Sequence, residues 1–250
     1  MDTLGAVLGP LIALIYLFFY PENYRSLFLI AFVPGLLAVV FSLFIKEHNT
    51  PRPVQLKKNT FLSFLNYWKS SSISYKKLII GLLVFAFFNS SDVFLILKIK
   101  QSGMSDSFAI GVYIFYNLIY AIFSYPLGIL ADKLGVKNIF ISGLILFTVV
   151  YFGMSISSKP IHFIGLFFIY GIFGAATEGV SKAWISLNAE KKDTATAIGL
   201  YSGIQSICAL IASSFTGFIW FSYGATAAFM ITAVATILVI LYFSIAIERK

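Results

Sequence analysis

Apolar residues fall into eight long runs along this chain, separated by short polar connections. A membrane-spanning helix needs about 20 predominantly apolar residues to cross the hydrocarbon layer, and each run approaches or meets that length. None of the runs alternates polar and apolar residues in the short segments that strands of a membrane barrel show. The pattern therefore predicts an all-α, polytopic transmembrane helical bundle of about eight spans. The predicted spans are residues 3–19, 26–45, 78–97, 108–130, 138–156, 161–183, 195–220 and 225–247.

The composition agrees with lipid as the main solvent. Of 250 residues, 59% are hydrophobic and 11% are charged, whereas soluble domains carry about 25% charged residues. This balance argues against a soluble enzyme or a nucleic-acid-binding domain, despite a formal net charge of +8. The single cysteine, Cys208, lies in an apolar run, which excludes a disulfide within the chain and a cysteine metal site. We expect neither a metal nor another cofactor.

The basic residues predict the orientation of the spans. When successive connections are assigned to alternating sides of the membrane, 14 of the 18 lysines and arginines fall on one side. Cytoplasmic connections carry an excess of these residues. We therefore expect a multi-pass protein of the plasma or bacterial inner membrane with both termini in the cytoplasm.

The longest polar connection, residues 47–77, divides the chain into two parts. Residues 1–46 hold two predicted spans and residues 78–250 hold six. Several apolar residues of the connection fall on one helical face beside lysines, which predicts a helix lying on the cytoplasmic surface of the membrane. A solvated linker is the alternative. The apolar face consists of Leu56, Phe61, Phe64, Leu65 and Trp68.

The first two spans match the last two in hydropathy at an offset of 203 residues, which pairs Tyr20 with Tyr223. Duplicated halves are common in transporters. The match predicts that residues 1–46 are the end of a first six-helix half. Four further spans would then be expected before Met1.

A conspicuous motif follows the fourth span. It reads Gly128-Ile129-Leu130-Ala131-Asp132-Lys133-Leu134-Gly135-Val136-Lys137. The segment resembles the cytoplasmic G-x-L-a-D-r-x-G-r-k motif of the major facilitator superfamily, with Gly128, Asp132, Lys133, Gly135 and Lys137 at the matching positions. The resemblance covers the whole chain and implies spans five to twelve of a twelve-span transporter.

The resemblance also implies a role for this motif. Asp132 and Lys133 would contact the start of the first span, near Asp2, when the cytoplasmic side is closed. An aspartate can accept hydrogen bonds at a helix N-terminus, and a lysine can bind an acidic group across the seam. A solvated turn whose charges only set the topology is the alternative.

A second resemblance lies at the beginning of the chain. Gly5, Gly9 and Pro10 match the fifth-span G-x-x-x-G-P signature of superfamily exporters and antiporters. Ala13 and Leu14 stand where that signature continues with paired glycines. The match implies efflux of a small amphipathic or drug-like solute, with these three residues in the conformational machinery.

One acidic residue falls deep inside a predicted span. Asp92 lies 14 residues after Leu78, which is about 21 Å along a helix. Ionisable groups in the hydrocarbon region are costly and are usually retained for function. By resemblance this span lines the central cavity, so the cluster is predicted to bind a polar or cationic solute or to exchange a proton. A structural carboxyl group bonded to a neighbouring helix is the alternative. The cluster consists of Asn89, Ser90, Ser91 and Asp92.

Other polar residues in the spans are weaker candidates. Glu178 and Lys182 are spaced for an i,i+4 ion pair, which we expect at the membrane interface, with a proton or substrate relay as the alternative. Asn117 and Gln205 are candidate contacts to the solute. Packing between helices is the alternative role for both.

The predicted function is secondary active transport of a small solute by alternating access, with proton-coupled efflux as one form of it. The chain has no G-x-x-x-x-G-K-[ST] phosphate loop, so the energy would come from a gradient. The expected partners are membrane lipid, a small-molecule solute, protons as a coupling ion and a complementary chain that supplies missing spans. The alternatives are a truncated or half-type membrane protein with a scaffold role, and an enzyme acting on lipids, for which no catalytic constellation is present.

Overall fold

The computed structural model describes residues 2–20, 23–44 and 63–247 of the chain. These residues form helices and no strand, which confirms the all-α prediction. Five helical segments are long and apolar enough to cross a membrane: 73–101, 106–134, 136–156, 160–188 and 194–246. The helices are α1 (Asp2–Phe19), α2 (Tyr24–Leu43), α3 (Ser63–Ser70), α4 (Ile73–Phe88), α5 (Val93–Gln101), α6 (Asp106–Leu134), α7 (Val136–Ile156), α8 (Pro160–Asn188) and α9 (Thr194–Ala246).

Helix α9 folds back on itself at Gly224. Its 53 residues would extend about 80 Å if straight, far beyond a membrane. Gly224 has φ of 85° and ψ of 168°, a backbone conformation that favours glycine. The Tyr75 hydroxyl donates to the Ala197 carbonyl (2.9 Å) and the Tyr242 hydroxyl to the Lys77 carbonyl (2.8 Å). Both ends of α9 therefore meet the same end of α4, and α9 is an antiparallel hairpin.

Six passes thus run through residues 73–246, with alternating ends. The end that holds the start of α4, the α6–α7 turn and both ends of α9 is called the basic end. It carries most of the described lysines that the sequence assigns to the cytoplasm, whereas the far end of the bundle carries Lys98, Lys100 and Lys159. The described lysines at or near the basic end are Lys69, Lys76, Lys77, Lys133, Lys137, Lys182, Lys191 and Lys192.

The predicted span over residues 78–97 lies within the segment 73–101, but its helix is interrupted, which the sequence did not predict. The helix ends at Phe88 and resumes at Val93. At Asn89 the backbone is extended, with φ of −87° and ψ of 91°. The Ser91 N–H donates to Ser213 Oγ (3.2 Å) instead of to a carbonyl one turn back. Asparagine, serine and aspartate side chains compete for backbone hydrogen bonds, and hydropathy does not register this competition.

A buried aromatic cluster joins the passes. Phe147 of α7 is fully buried; its ring centroid lies 4.1 Å from that of Tyr151 and 4.8 Å from that of Phe173 in α8. A Cβ atom placed on Gly171 of α8 would lie 2.8 Å from the Ile119 Cβ of α6. Small residues allow this close approach of transmembrane helices.

Helices α1, α2 and α3 precede the six passes in the chain. Helix α1 packs against α6 and touches α2, and both continue through their prolines, Pro10 and Pro34. Trp68 of α3 is half-buried and packs edge-on against Tyr75, with ring centroids 6.4 Å apart. Burial, together with the nearby carboxylates of Asp193 and Glu190, raises the pKa of Tyr67.

The predicted apolar face of the linker lies mostly outside the described residues. Leu56 and Phe61 lie outside the described residues, as do the side chains of Phe64 and Leu65. The location of this segment on the membrane surface stays a prediction. So does the division at residues 47–77 into the end of one half and a complete second half.

Candidate solute cavity

A cavity of about 260 Å³ lies among the passes. Its walls come from the α4–α5 break and from α6, α7, α8 and α9. It extends from the middle of the bundle, at Tyr170, towards the basic end, at Lys182. These two residues of α8 are twelve positions apart, or about 18 Å along the helix. The polar residues in its wall are Asn89, Asp92, Tyr116, Tyr170, Thr177, Glu178, Ser181, Lys182, Tyr201 and Gln205.

Asp92 is bound to a tyrosine in the cavity wall. The Tyr170 hydroxyl donates to Asp92 Oδ1 at 2.6 Å. The ring of Tyr116 lies against that of Tyr170, with centroids 5.0 Å apart. Tyr116 and Tyr170 each stand ten residues, or about 15 Å, inside the end of the helix that carries it. The carboxyl group therefore lies near the middle of a hydrocarbon layer roughly 30 Å thick.

Asp92 has no cationic neighbour close enough for an ion pair among the described residues. The ion pairs in that part of the chain are Lys100–Asp106 and Lys192–Glu190, each at 2.9 Å and each at an end of the bundle. A charge in a low-dielectric region without a counter-ion costs several kcal/mol. The hydrogen bond from Tyr170 offsets only part of that cost.

The predicted ion pair between Glu178 and Lys182 is wrong. Within the described part of the chain the two side chains do not approach within ion-pair distance, although both line the cavity towards its basic end. Both side chains are exposed. An i,i+4 spacing permits contact without requiring it, and an exposed pair contributes about 0–1 kcal/mol, too little to hold two long side chains together.

The other predicted site residues divide into two groups. Asn89 and Gln205 line the cavity with Asp92 and Glu178. Asn117 does not: it is buried and donates to the Tyr113 carbonyl in its own helix (2.9 Å). Ser90 is also buried outside the cavity wall, whereas Ser91 is exposed and its Oγ accepts a hydrogen bond from the Val93 N–H (3.4 Å).

Sequence reasoning missed Tyr170, which is 2% exposed. It lies 78 residues from Asp92 in the chain, and no local pattern connects the two. A tyrosine hydroxyl in the middle of an apolar span needs a hydrogen-bond partner. That requirement was the one signal available in the sequence.

The superfamily-like motif borders a second, larger cavity of about 630 Å³ at the basic end, here called the basic-end groove. Gly135 has φ of 90° and forms the turn between α6 and α7. Lys137 donates to the carbonyls of Ser244 (3.3 Å) and Ile247, so it caps the last turn of α9. The groove is lined by Ile73, Ser74, Lys77, Ala131, Asp132, Leu134, Gly135, Val136, Lys137, Asn138, Trp184, Leu187, Asn188, Ala246 and Ile247.

The remaining motif residues make few contacts. Asp132 and Lys133 are exposed, and neither forms a hydrogen bond or an ion pair with another described side chain. No described atom lies within 4 Å of a Cβ placed on Gly128, Gly5 or Gly9. The side chains of Asp2 and Pro10 lie outside the described residues. The contact between the motif and the start of α1 stays a prediction.

The fold and the cavity define a multi-pass helical membrane protein with a polar cavity between its helices. The model of the Major Facilitator Superfamily matches residues 99–250. Over 225 residues the chain is 32% identical to an uncharacterized MFS-type transporter of Methanocaldococcus jannaschii, an alignment that covers 88% of this chain and 55% of the relative.

The chain belongs to the Major Facilitator Superfamily, and it spans about half the length of the curated relative it matches. This membership confirms the resemblance that the motif implied. It also places the chain in a family of transporters and not of enzymes, as the sequence predicted.

Proposed function

We propose that this chain forms the solute-binding part of a secondary transporter that moves a small solute by alternating access. The observation that carries the proposal is the hydrogen-bonded pair of Asp92 and Tyr170 in a cavity at mid-membrane. A carboxyl group at this depth is costly, and a purely structural role would be served as well by an apolar residue.

The walls of the cavity favour a small amphipathic solute with a cationic group. Aromatic side chains line the same cavity as the carboxyl group, among them Phe85, Tyr116 and Phe173. Aromatic faces attract organic cations, and the attraction strengthens where water is excluded. Export as the direction of transport rests on the resemblance of Gly5, Gly9 and Pro10 to the exporter signature.

Protons are the coupling ion in this proposal, with Glu178 as the group that exchanges them. Glu178 is exposed in the part of the cavity nearest the basic end, where water can reach it. The other charged and titratable groups that line this cavity are Lys182 and Tyr170 on the same helix, Asp92 at the α4–α5 break, Tyr116 on α6 and Tyr201 on α9. A proton gradient is therefore expected to accelerate transport, and Glu178→Gln is expected to remove that acceleration.

We place the protein in the plasma or bacterial inner membrane with the basic end in the cytoplasm. The support is the distribution of lysines and arginines, 14 on one side and four on the other. Both termini would then be cytoplasmic.

A complementary chain is a second element of the proposal. The support is that the relative is almost twice as long as the matched segment, and that a polar cavity of this kind needs a covering surface other than lipid. A scaffold without transport is the competing function. It expects replacement of Asp92 to leave every activity unchanged.

The proposal can be tested by measuring the transport of ethidium, an aromatic organic cation, in membrane vesicles that contain this chain. Asp92→Asn keeps the shape and removes the charge, and we expect at least a tenfold fall in the transport rate, or about 1.4 kcal/mol. The matched control is Asp106→Asn, which alters an exposed carboxylate at the end of the bundle opposite the basic end; this variant should transport normally. Normal transport by both variants would show that Asp92 is not needed for transport, and no ethidium transport by the unmodified chain, relative to vesicles without it, would favour the scaffold.

A further inference from the structure

The basic-end groove is more than twice as large as the cavity at Asp92, with a volume of about 630 Å³ against about 260 Å³. Its walls are the start of α4, the turn between α6 and α7, and the last turns of α8 and α9. These are the ends of segments that are long enough to cross a membrane. The groove therefore lies at the level of the lipid headgroups on one side of the membrane, and the proposed transport function does not use it.

Two lysines in the wall of the groove, Lys77 and Lys137, are held at the same helix end. The Lys77 carbonyl accepts a hydrogen bond from the Tyr242 hydroxyl (2.8 Å). The Lys137 side chain donates to the carbonyls of Ser244 and Ile247. Since all three partners lie at the end of α9, the two lysines flank one turn of helix although they are 60 residues apart in the chain.

The positive charge of these two lysines is not balanced within the described part of the chain. The ion pairs formed there involve neither lysine, and the hydrogen-bond acceptors of Lys137 are neutral carbonyl groups. Among the described residues that line the groove, Asp132 is the one carboxylate, against two lysines. A groove of net positive charge between helices, at the level of the headgroups, is typical of sites that bind anionic lipids.

The neighbouring segments of the chain are poor sources of the missing negative charge. Residues 45–62 carry four lysines and arginines and one glutamate, and residues 248–250 carry two and one. Both segments are therefore positively charged, as the groove is, and like charges repel. Charge complementarity favours an anion that comes from outside the chain.

Exposed apolar side chains line the same groove as the lysines. Ile73 is 74% exposed, Leu134 is 56% exposed and Leu187 is 68% exposed, and each belongs to a different wall. Inorganic phosphate would leave this apolar surface uncovered. A phospholipid would place its phosphate on the lysines and its acyl chains on the apolar side chains, and each Å² of apolar surface covered contributes about 25 cal/mol.

We propose that the basic-end groove binds one molecule of an anionic phospholipid, with the lipid phosphate between Lys77 and Lys137 and an acyl chain along the exposed apolar residues of the walls. Phosphatidylglycerol suits the charges of the groove best, because the hydroxyl groups of its headgroup can donate to the Asp132 carboxylate. The binding of this lipid does not depend on the proposed transport function.

Binding of radioactive phosphatidylglycerol to the purified full chain in detergent tests the site. We expect saturable binding that unlabelled phosphatidylglycerol displaces and that phosphatidylcholine with the same acyl chains does not. Lys77→Gln and Lys137→Gln each remove one charge from the groove, and each should weaken binding by about fivefold, which corresponds to about 1 kcal/mol. The matched control is Lys133→Gln. Lys133 is an exposed lysine of the same motif that does not line the groove, so this variant should bind as the unmodified chain does.

Equal displacement by phosphatidylcholine would overturn the proposal, and so would normal binding by both groove variants. An equal loss in Lys133→Gln would assign the binding to the general charge of the surface and not to the groove. Glycerol phosphate and inorganic phosphate carry the anion without acyl chains; if either displaces the lipid at the concentrations at which unlabelled lipid does, the groove binds free anions and the lipid assignment is wrong. Thermal unfolding shows whether each variant is folded. Because the Lys77 side chain forms no hydrogen bond with a described residue, Lys77→Gln keeps the test decisive if loss of the Lys137 cap unfolds the other variant.

Discussion

The cavity at Asp92 and the basic-end groove each contain a carboxylate, but the two carboxylates have different surroundings. Asp92 lies at mid-membrane and accepts a 2.6 Å hydrogen bond from Tyr170, whereas Asp132 is exposed and has no described side-chain partner. The groove carries the recognisable motif, and the cavity carries the costly charge. The family is thus recognised most easily from the motif at the groove, whereas the candidate solute-binding residues lie in the cavity.

The largest effect is expected where two helices that form the cavity touch. A Cβ atom on Gly171 would lie 2.8 Å from the Ile119 Cβ and 2.9 Å from the Tyr116 carbonyl oxygen, and neither can move without shifting α6. Gly171→Ala should therefore lower the free energy of unfolding by about 3 kcal/mol. Denaturant unfolding in detergent measures it.

Gly179→Ala is the matched control for that substitution. Gly179 lies on the same helix, and no atom of the described residues lies within 4 Å of its added Cβ, so the unfolding midpoint of the variant should be unchanged or slightly raised. If both variants unfold alike, the contact between α6 and α8 does not set the position of this wall.

The next largest effect is expected for the hydrogen bond between Tyr170 and Asp92, which distinguishes the cavity carboxylate from that of the groove. Tyr170→Phe keeps the buried ring and removes the hydroxyl that donates to Asp92. We expect a loss of about 1–2 kcal/mol in stability, together with slower ethidium transport. Tyr125→Phe, at a side chain that is 77% exposed, should change neither quantity. A Tyr170 variant with normal transport would show that this hydrogen bond has no functional role.

The helices were predictable from the sequence, because long apolar runs in lipid have few alternatives to the helix. Except for α3, the described helices coincide with the eight predicted segments to within about five residues at each end, apart from the break at residues 89–92. The hairpin at Gly224 was also placed correctly between the last two predicted spans. The break was missed because its residues interrupt an apolar run too briefly to alter its average hydropathy.

The cavity was predictable only in part. Asp92 and Glu178 stood out because acidic residues are rare in spans, and both line the cavity. Asn117 stood out as a polar side chain within a span, but an amide can find a hydrogen-bond partner on its own helix, as Asn117 does with the Tyr113 carbonyl. Tyr170 was missed because tertiary packing alone brings it to Asp92.

A smaller effect is expected at the groove. Lys137 donates to the Ser244 and Ile247 carbonyls, and a cation at a helix C-terminus stabilises the last turn. Lys137→Met should lower the free energy of unfolding by about 1 kcal/mol. Lys133→Met removes an exposed lysine from the same motif and should leave the unfolding midpoint unchanged. Equal losses would indicate that the charge of the motif, and not the cap, stabilises the chain.

The smallest effect is expected for a charge pair at the end opposite the basic end. Lys100 and Asp106 form an ion pair at 2.9 Å, and both side chains are about half exposed. Asp106 also lies in the first turn of α6, where a negative charge is favourable. Because exposed pairs are weak and screened by salt, Asp106→Asn should cost less than about 1 kcal/mol at low salt and progressively less as sodium chloride is raised. A large, salt-independent loss would contradict the distinction between solvated charges at the ends of the bundle and the buried charge at its centre, since Asp106 would then be as tightly held as Asp92.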